Sequence, residues 1–329
     1  MEGQRPGWFS VRFATWVVGF LLLGGASAWG QTSELLPYQA LVTPDGMLKS
    51  VGSDTMSQLM SLWGEGFERF HPALRFEIAS KGSSTAPPAI TRRLANVGPM
   101  SRPMREAEVE AFRNAYGYEP LVLPVAFDLL AIYVHRDNPI RELTLEQLDA
   151  LFSHVRRRGF PTNPTTWRDL GLSGPYQEAA IRLYGRNSLS GTHSYFRENV
   201  LWGADFRTNV QEQPGSCSVV QCVGYDPFGI GYSGIGYRTA DVKVLRLAKE
   251  RHSPSFEPTA ETGFSGDYPL SRLLYLVVRH SETEPMEPVV AEFLRYVYSR
   301  EGQHTVAKSG YVPLPASEIK ALLLKAGLN

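Results

Sequence analysis

Three short polar segments, each carrying glycine, stand directly before stretches that read as helices: Gly52-Ser53-Asp54-Thr55, Gly82-Ser83-Ser84-Thr85 and Arg186-Asn187-Ser188-Leu189-Ser190-Gly191-Thr192. The first turn of a helix has unpaired N–H groups and a partial positive charge, so it is a seat for an anion. Glycines and hydroxyls there let backbone and side chain approach closely. One such segment is a helix cap. Three, with an arginine four residues ahead of Ser190, point to a site for a small tetrahedral oxyanion and demand a fold that gathers helix starts.

The pattern around them is strand, polar turn, helix. Leu48 to Gly52 predicts a strand and Met56 to Phe70 a helix, with Leu59, Leu62, Trp63, Phe67 and Phe70 on one face. Leu74 to Ala79 alternates as a strand. Pro87 to about Ala95 and Arg105 to Tyr116 read as helices, and Leu121 to Val125 and Leu129 to Val134 as two strands separated by Ala126-Phe127-Asp128. Thr144 to Phe152 opens with a Thr-Leu-Glu-Gln capping box, and Ile181 to Tyr184 leads as a strand into the Arg186 segment. Tyr268 to Val278 is strand-like, and Met286 to Tyr298, Glu301 to Lys308 and Ser317 to Ala326 are helical. Such alternation predicts an α/β fold with mainly parallel sheets. Ligands of such sheets bind beyond the strands' carboxyl ends, where helix N-termini point; all three segments sit there.

The first residues predict export. Arg5 and Arg12, an apolar run from Trp16 to Leu23 and Ala26-Ser27-Ala28 form a secretory signal over residues 1–28, its apolar part too short for a good membrane span. The remaining ~300 residues exceed a usual single domain, so two lobes are expected. Formal charge is zero, and cleavage leaves 31 basic against 32 acidic residues. No global field would attract nucleic acid or membrane. The Arg156-Arg157-Arg158 run reads as a solvated loop, with a docking surface as the other reading. Cys217 and Cys222 would meet an oxidising compartment. Helical spacing sets them on different faces, so free thiols and a disulfide across a frayed helix start both stay open.

Other chemistry finds little support. Gly229-Ile230-Gly231-Tyr232-Ser233-Gly234 matches the dinucleotide fingerprint, but Ile235-Gly236-Tyr237-Arg238 lacks the required helical period, so a glycine-rich strand and turn is expected. No G-x-S-x-G nucleophile elbow occurs, and the seven histidines form no metal-ligand spacing. His193 alone lies near the candidate site, and packing is its expected role over proton transfer.

In order along the chain stand Gly52-Ser53-Asp54-Thr55-Met56, Gly82-Ser83-Ser84-Thr85, Gly98-Pro99-Met100-Ser101-Arg102-Pro103-Met104, Arg186 with Ser190-Gly191-Thr192, and Gly231-Tyr232. This order resembles the periplasmic phosphate-binding proteins of phosphate-specific ABC transporters, from about Leu48 to Leu324, and Arg-x-x-x-Ser-Gly-Thr is its most specific part. The resemblance implies a two-lobed periplasmic binding protein fold, each lobe a mainly parallel sheet flanked by helices, joined by a two-strand hinge. Residues 29–43 would be a linker, 44–127 with 270–329 one lobe, and 128–269 the other. It further implies a periplasmic monomer, without cofactor or metal, that closes on inorganic phosphate and delivers it to a membrane permease. Carried over by position, the phosphate-binding candidates are Asp54, Thr55, Ser84, Ser101, Arg186, Ser190, Gly191 and Thr192. Arg186 would offer a fork to two phosphate oxygens, and Ser84, Ser190 and Thr192 would donate hydroxyls.

Two departures stand out. The family usually has aspartate where this chain has Ser101, and another where it has Ser188. The first usually accepts a proton of phosphate; Asp54, beside the same anion, is expected to take over that part, with a simple helix cap as its other reading. A secreted enzyme acting on phosphate esters, or the same fold tuned to sulfate or another oxyanion, are the alternatives. Absence of an activated nucleophile and of a metal cluster argues against the enzyme.

Overall fold

The computed structural model describes residues 34–281 and 283–328; the expected signal peptide and residues 29–33 of the expected linker lie outside them. In chain order the elements of the first part are β1 (Gly46–Gly52), α1 (Ser57–Phe70), β2 (Leu74–Ser80), α2 (Ala86–Thr91), β3 (Val97–Met100), α3 (Glu106–Tyr116) and β4 (Leu121–His135). The middle holds β5 (Glu142–Thr144), α4 (Leu145–Phe152), β6 (Arg182–Arg186), α5 (Gly191–Asn199), β7 (Gln211–Gln213), α6 (Ser216–Tyr225), β8 (Gly229–Gly234), β9 (Val242–Val244), β10 (Arg246–Ala248), β11 (Ser255–Phe256) and α7 (Ala260–Phe264). The chain returns through β12 (Ser271–Val278) and ends in α8 (Pro288–Tyr298), α9 (Arg300–Lys308) and α10 (Ala316–Lys325).

The main sheet runs β2-β1-β3-β12-β4-β8-β6-β7, with β9 also on β4. Its two flanks are parallel: β1 with β2 and β3, and β6 with β7 and β8. Between them β4 and β12 run antiparallel to each other and to their neighbours. The two strands expected at Leu121–Val125 and Leu129–Val134 are thus one, because Ala126, Phe127 and Asp128 stay extended and pair with Leu274, Leu273 and Arg272 of β12. A carboxylate inside that strand is tolerated because Arg272 lies against it. At its other end β4 pairs with β8, so a single strand serves both flanks.

Apolar side chains gather into two main cores. One holds Leu59, Trp63 and Phe67 of α1, Leu274 and Leu276 of β12, and Phe293 and Leu294 of α8. These α1 residues are three of the stripe read from the sequence; the 3.6-residue period puts them on one face. The other core holds Ile132, Leu148, Phe152, Trp167, Phe196 and Tyr232. Phe127 packs against both. Leu35 and Tyr38, ahead of β1, are buried in the first core, where Tyr38 Oη donates to Glu292 Oε2 at 2.7 Å and its N–H to Glu301 Oε2.

Local chemistry sets the ends of elements as expected at several points. Thr144 Oγ1 accepts from the N–H of Gln147, whose Oε1 accepts from the Thr144 N–H, closing the capping box. Gly229–Gly234 is a fully buried strand followed by a 3₁₀ turn at Ile235–Tyr237, with no helix to hold a pyrophosphate. Cys217 and Cys222 are free thiols on α6, the first exposed and the second half-buried; burial and then Asp226 push the Cys222 thiol up. Among the described residues no helix is long and apolar enough to cross a membrane.

Candidate functional site

The polar segments from the two flanks meet. Thr55, just before α1, and Thr192, in the first turn of α5, join their hydroxyls at 2.7 Å, and neither is exposed. Ser101 closes off β3: its N–H donates to Ser83 Oγ at 3.0 Å, and its hydroxyl meets those of Ser83 and Ser53, each at 3.1 Å. Gly191 lies against this trio. A Cβ there would stand 2.3 Å from Ser83 Oγ and 2.5 Å from Ser101 Oγ, so only glycine lets α5 start so close to the other flank. Gly82, at φ +108°, likewise comes against the Leu189 carbonyl, 2.5 Å from where its Cβ would be.

Ser190 is the N-cap of α5, its Oγ accepting from the N–H groups of Thr192 at 3.1 Å and His193 at 3.4 Å. Of the two serines in the Ser83–Thr85 turn, Ser83 faces the cluster. Ser84, half-buried, stands at its margin, where its N–H donates to the Leu189 carbonyl and its hydroxyl accepts from Arg102. The structure therefore brings together Asp54, Thr55, Ser101, Arg186, Ser190, Gly191 and Thr192, and sets Ser84 beside them.

Arg186 and Asp54 form a buried ion pair across the two flanks, Nη1 to Oδ2 at 2.5 Å. The same carboxylate oxygen accepts from the N–H and the hydroxyl of Ser216 at the start of α6. Arg186 also donates from Nη1 to Ser216 Oγ, from Nε to the Gln213 carbonyl and from Nη2 to the Pro214 carbonyl. Four of its five N–H groups are thus committed within the protein. A fork onto two outside oxygens is not available in this arrangement; one Nη2 N–H is. A guanidinium so buried requires partners on nearly every donor, and the turn at 213–216 supplies them. Asp54 lines a surface cleft of about 460 Å³ shared with Gln58, Ser216, Cys217 and Tyr237.

The residue-type reading passed over several members of this neighbourhood. Tyr237 donates to the carbonyls of Asp54 and Thr55, and Tyr311 to that of Thr55, clamping the turn before α1. Arg272 donates to Thr192 Oγ1 at 2.9 Å and to Asp128. Lone charges inside apolar strands, as Asp128 and Arg272 are, were the available signal.

His193 packs on Phe206 with ring centroids 4.5 Å apart, as expected of a packing histidine. Burial, then Arg197, Arg186 and Arg105, lower its pKa to about 4. The unfolded chain binds the proton more readily than the folded one, so this group costs stability as pH falls from about 6.5 toward about 4. Melting temperature is expected to drop across that window, and His193→Gln to drop less; equal pH profiles in a thermal scan count against the assignment.

A sequence model described as a PBP superfamily domain matches residues 35–301. The chain is 48% identical over 307 residues to the phosphate-binding protein PstS of Pseudomonas aeruginosa, covering 93% of this chain and 95% of that one. Among solved structures it is similar to a putative phosphate ABC transporter substrate-binding protein with bound phosphate from Clostridium perfringens, with TM-score 0.69, 25% identity, and coverage of 82% of this chain and 100% of that one. The fold is also that of an ABC-type phosphate transport receptor from Vibrio cholerae, at TM-score 0.61 and 21% identity, over 81% of this chain and 100% of that one. With the superfamily model spanning most of its length and close identity to one member almost end to end, the chain belongs to the PstS family of phosphate-binding proteins within the PBP superfamily.

Proposed function

We propose that this protein is an exported receptor that captures inorganic phosphate between two lobes and hands it to an ABC-type permease. The observation that carries the reading is the convergence of the N-termini of α1 and α5, one from each flank, on a buried cluster of hydroxyls flanked by Arg186. Backbone N–H groups near Thr55, Gly191 and Thr192, the hydroxyls of Thr55, Ser101, Ser190 and Thr192, and the free N–H of Arg186 are donors suited to a small oxyanion. Asp54 holds Arg186 in place. Ser84 stands at the margin, its hydroxyl accepting from Arg102, which is itself paired with Glu108. Donors gathered in this way suit the holding of an oxyanion, and the similar proteins are named for binding.

The lobes we assign are 44–127 with 270–329, and 128–269. The separate cores support this division, and β4 and β12 are the strands on which the lobes would hinge, near Phe127 and Ser271. The two lobes stand together here, with Arg186–Asp54, Thr55–Thr192 and Arg105–Ser194 bridging them. A ligand shifts such an equilibrium only through contacts made to both lobes at once. Solution scattering is expected to show a smaller radius of gyration with phosphate than without; one unchanged profile at saturation removes the clamshell. The protein acts as a periplasmic monomer in this reading.

Calorimetric titration with phosphate, sulfate and arsenate tests the function directly. Tight binding of phosphate without turnover of a chromogenic phosphate ester is expected, and hydrolysis of the ester would turn the assignment to an enzyme. A different oxyanion is the second reading, favoured by serine at position 101; the same titration decides it.

A further inference from the structure

The two strands that link the flanks carry a buried ion pair of their own. Asp128 on β4 and Arg272 on β12 are register partners. The guanidinium donates to Asp128 Oδ2 from Nε at 2.9 Å and from Nη2 at 2.6 Å. Asp128 is 0% and Arg272 6% exposed. Through Nη2 the arginine also reaches Thr192 Oγ1, which meets Thr55. The pair is thus one hydrogen bond from the hydroxyls at the centre of the cluster.

Each partner keeps an unsatisfied atom: Asp128 Oδ1 and Arg272 Nη1 have no hydrogen-bond partner. Buried polar atoms left so are rare and costly, and charged ones more so. A ligand that satisfies both must accept from a guanidinium and donate to a carboxylate. An oxyanion that still carries a proton does both; one without a proton does only the first.

We propose that Asp128 and Arg272 complete the anion cage and set its selectivity, Arg272 Nη1 donating to one phosphate oxygen and Asp128 Oδ1 accepting the phosphate proton. This rests on the phosphate reading above. It moves the acceptor role from Asp54 to Asp128, although Asp54 Oδ1 is likewise buried without a partner; what separates the two carboxylates is what their other oxygens hold. Asp54 Oδ2 already takes bonds from Arg186 and from the Ser216 N–H and hydroxyl, which makes it the residue that orients Arg186. Asp128 is 0% exposed and its other oxygen holds only Arg272, so no water relieves its clash with an unprotonated anion.

The test is calorimetry with phosphate, sulfate and monofluorophosphate, the last a dianion of phosphate's shape without an O–H. The native protein is expected to prefer phosphate to both others by at least ~100-fold, the scale of leaving a charged buried group unpaired. Asp128→Asn is expected to weaken phosphate by about tenfold or more and to bring the three anions within roughly threefold, because an amide can donate to any of them. Asp54→Asn loosens Arg186 and is expected to weaken all three anions by a similar factor, keeping the ratio. A ratio kept in Asp128→Asn overturns the proposal. So does a ratio lost in Asp54→Asn, which decides the matter even if Asp128→Asn does not fold. A native protein that binds phosphate but ranks the three anions equally also overturns it, while one that binds no phosphate defeats the underlying function instead.

Discussion

Arg186→Ala is expected to lower phosphate affinity by two to three orders of magnitude, measured by calorimetric titration. Removal of the guanidinium takes away a donor to the anion, and it also strips Asp54 of its partner. The carboxylate, 6% exposed, then stands as an uncompensated negative charge beside a bound anion. Removing one member of a buried charge pair costs about 3–5 kcal/mol, and each 1.4 kcal/mol is about tenfold in affinity. A double variant, Asp54→Asn with Arg186→Ala, removes the repelling charge and should recover part of the loss. Affinity within about tenfold of native in the single variant, well short of that scale, removes Arg186 from the site. Equal affinities in single and double variants would leave the donor intact as an explanation and discard the repulsion.

Gly191→Ala is expected to abolish measurable phosphate binding while leaving the unliganded protein as stable as before. The added methyl would lie 2.3 Å from Ser83 Oγ, 2.5 Å from Ser101 Oγ and 3.0 Å from Ser83 Cβ, closer than nonbonded atoms come. Ser83 and Ser101 are unexposed and hold each other's hydroxyls, so they have little room to turn away. The clash exists only when α5 is seated against the other flank. With the lobes apart, alanine at the start of a helix is, if anything, favourable over glycine. Affinity should therefore fall with no drop in the melting temperature of the free protein, and scattering should show no compaction on adding phosphate. A variant that binds normally, or one whose free form melts well below native, refutes this account.

The sequence carried the elements whose causes are local. Leu59, Trp63 and Phe67 of the α1 stripe, the Thr144 capping box and the Ser190 segment ahead of α5 depend on neighbours within a few residues and stand where the pattern puts them, while Phe70, the last of the expected stripe, is 45% exposed. What escaped is set by residues far apart. Whether residues 126–128 break a strand or continue it is decided by β12, more than a hundred positions later, whose Arg272 neutralises Asp128. The same holds within the site. That an arginine ahead of Ser190 is buried follows from its motif, but that its donors go to Asp54, Gln213, Pro214 and Ser216 follows only from the turn between β7 and α6. The choice between Ser83 and Ser84 turned on the direction of one 3₁₀ turn, which identical neighbouring residue types cannot reveal.

The first core draws on both ends of the chain: Leu35 and Tyr38 pack with α8 and α9, and the Arg300 N–H donates to the Leu36 carbonyl. A chain threaded through a membrane from its amino end would present Tyr38 long before Glu292 and Glu301 emerge to receive it. The second core, drawn chiefly from residues between Leu129 and Leu270, has no such wait and can assemble while the rest is still in transit. Closing the long intervening loop costs little at equilibrium, since doubling a loop adds only about 0.6 kcal/mol, but contacts of such separation are slow to find. In an exported chain the order of emergence would make the carboxyl-terminal helices the last pieces to arrive, and the half of the molecule begun first in sequence the half finished last in time.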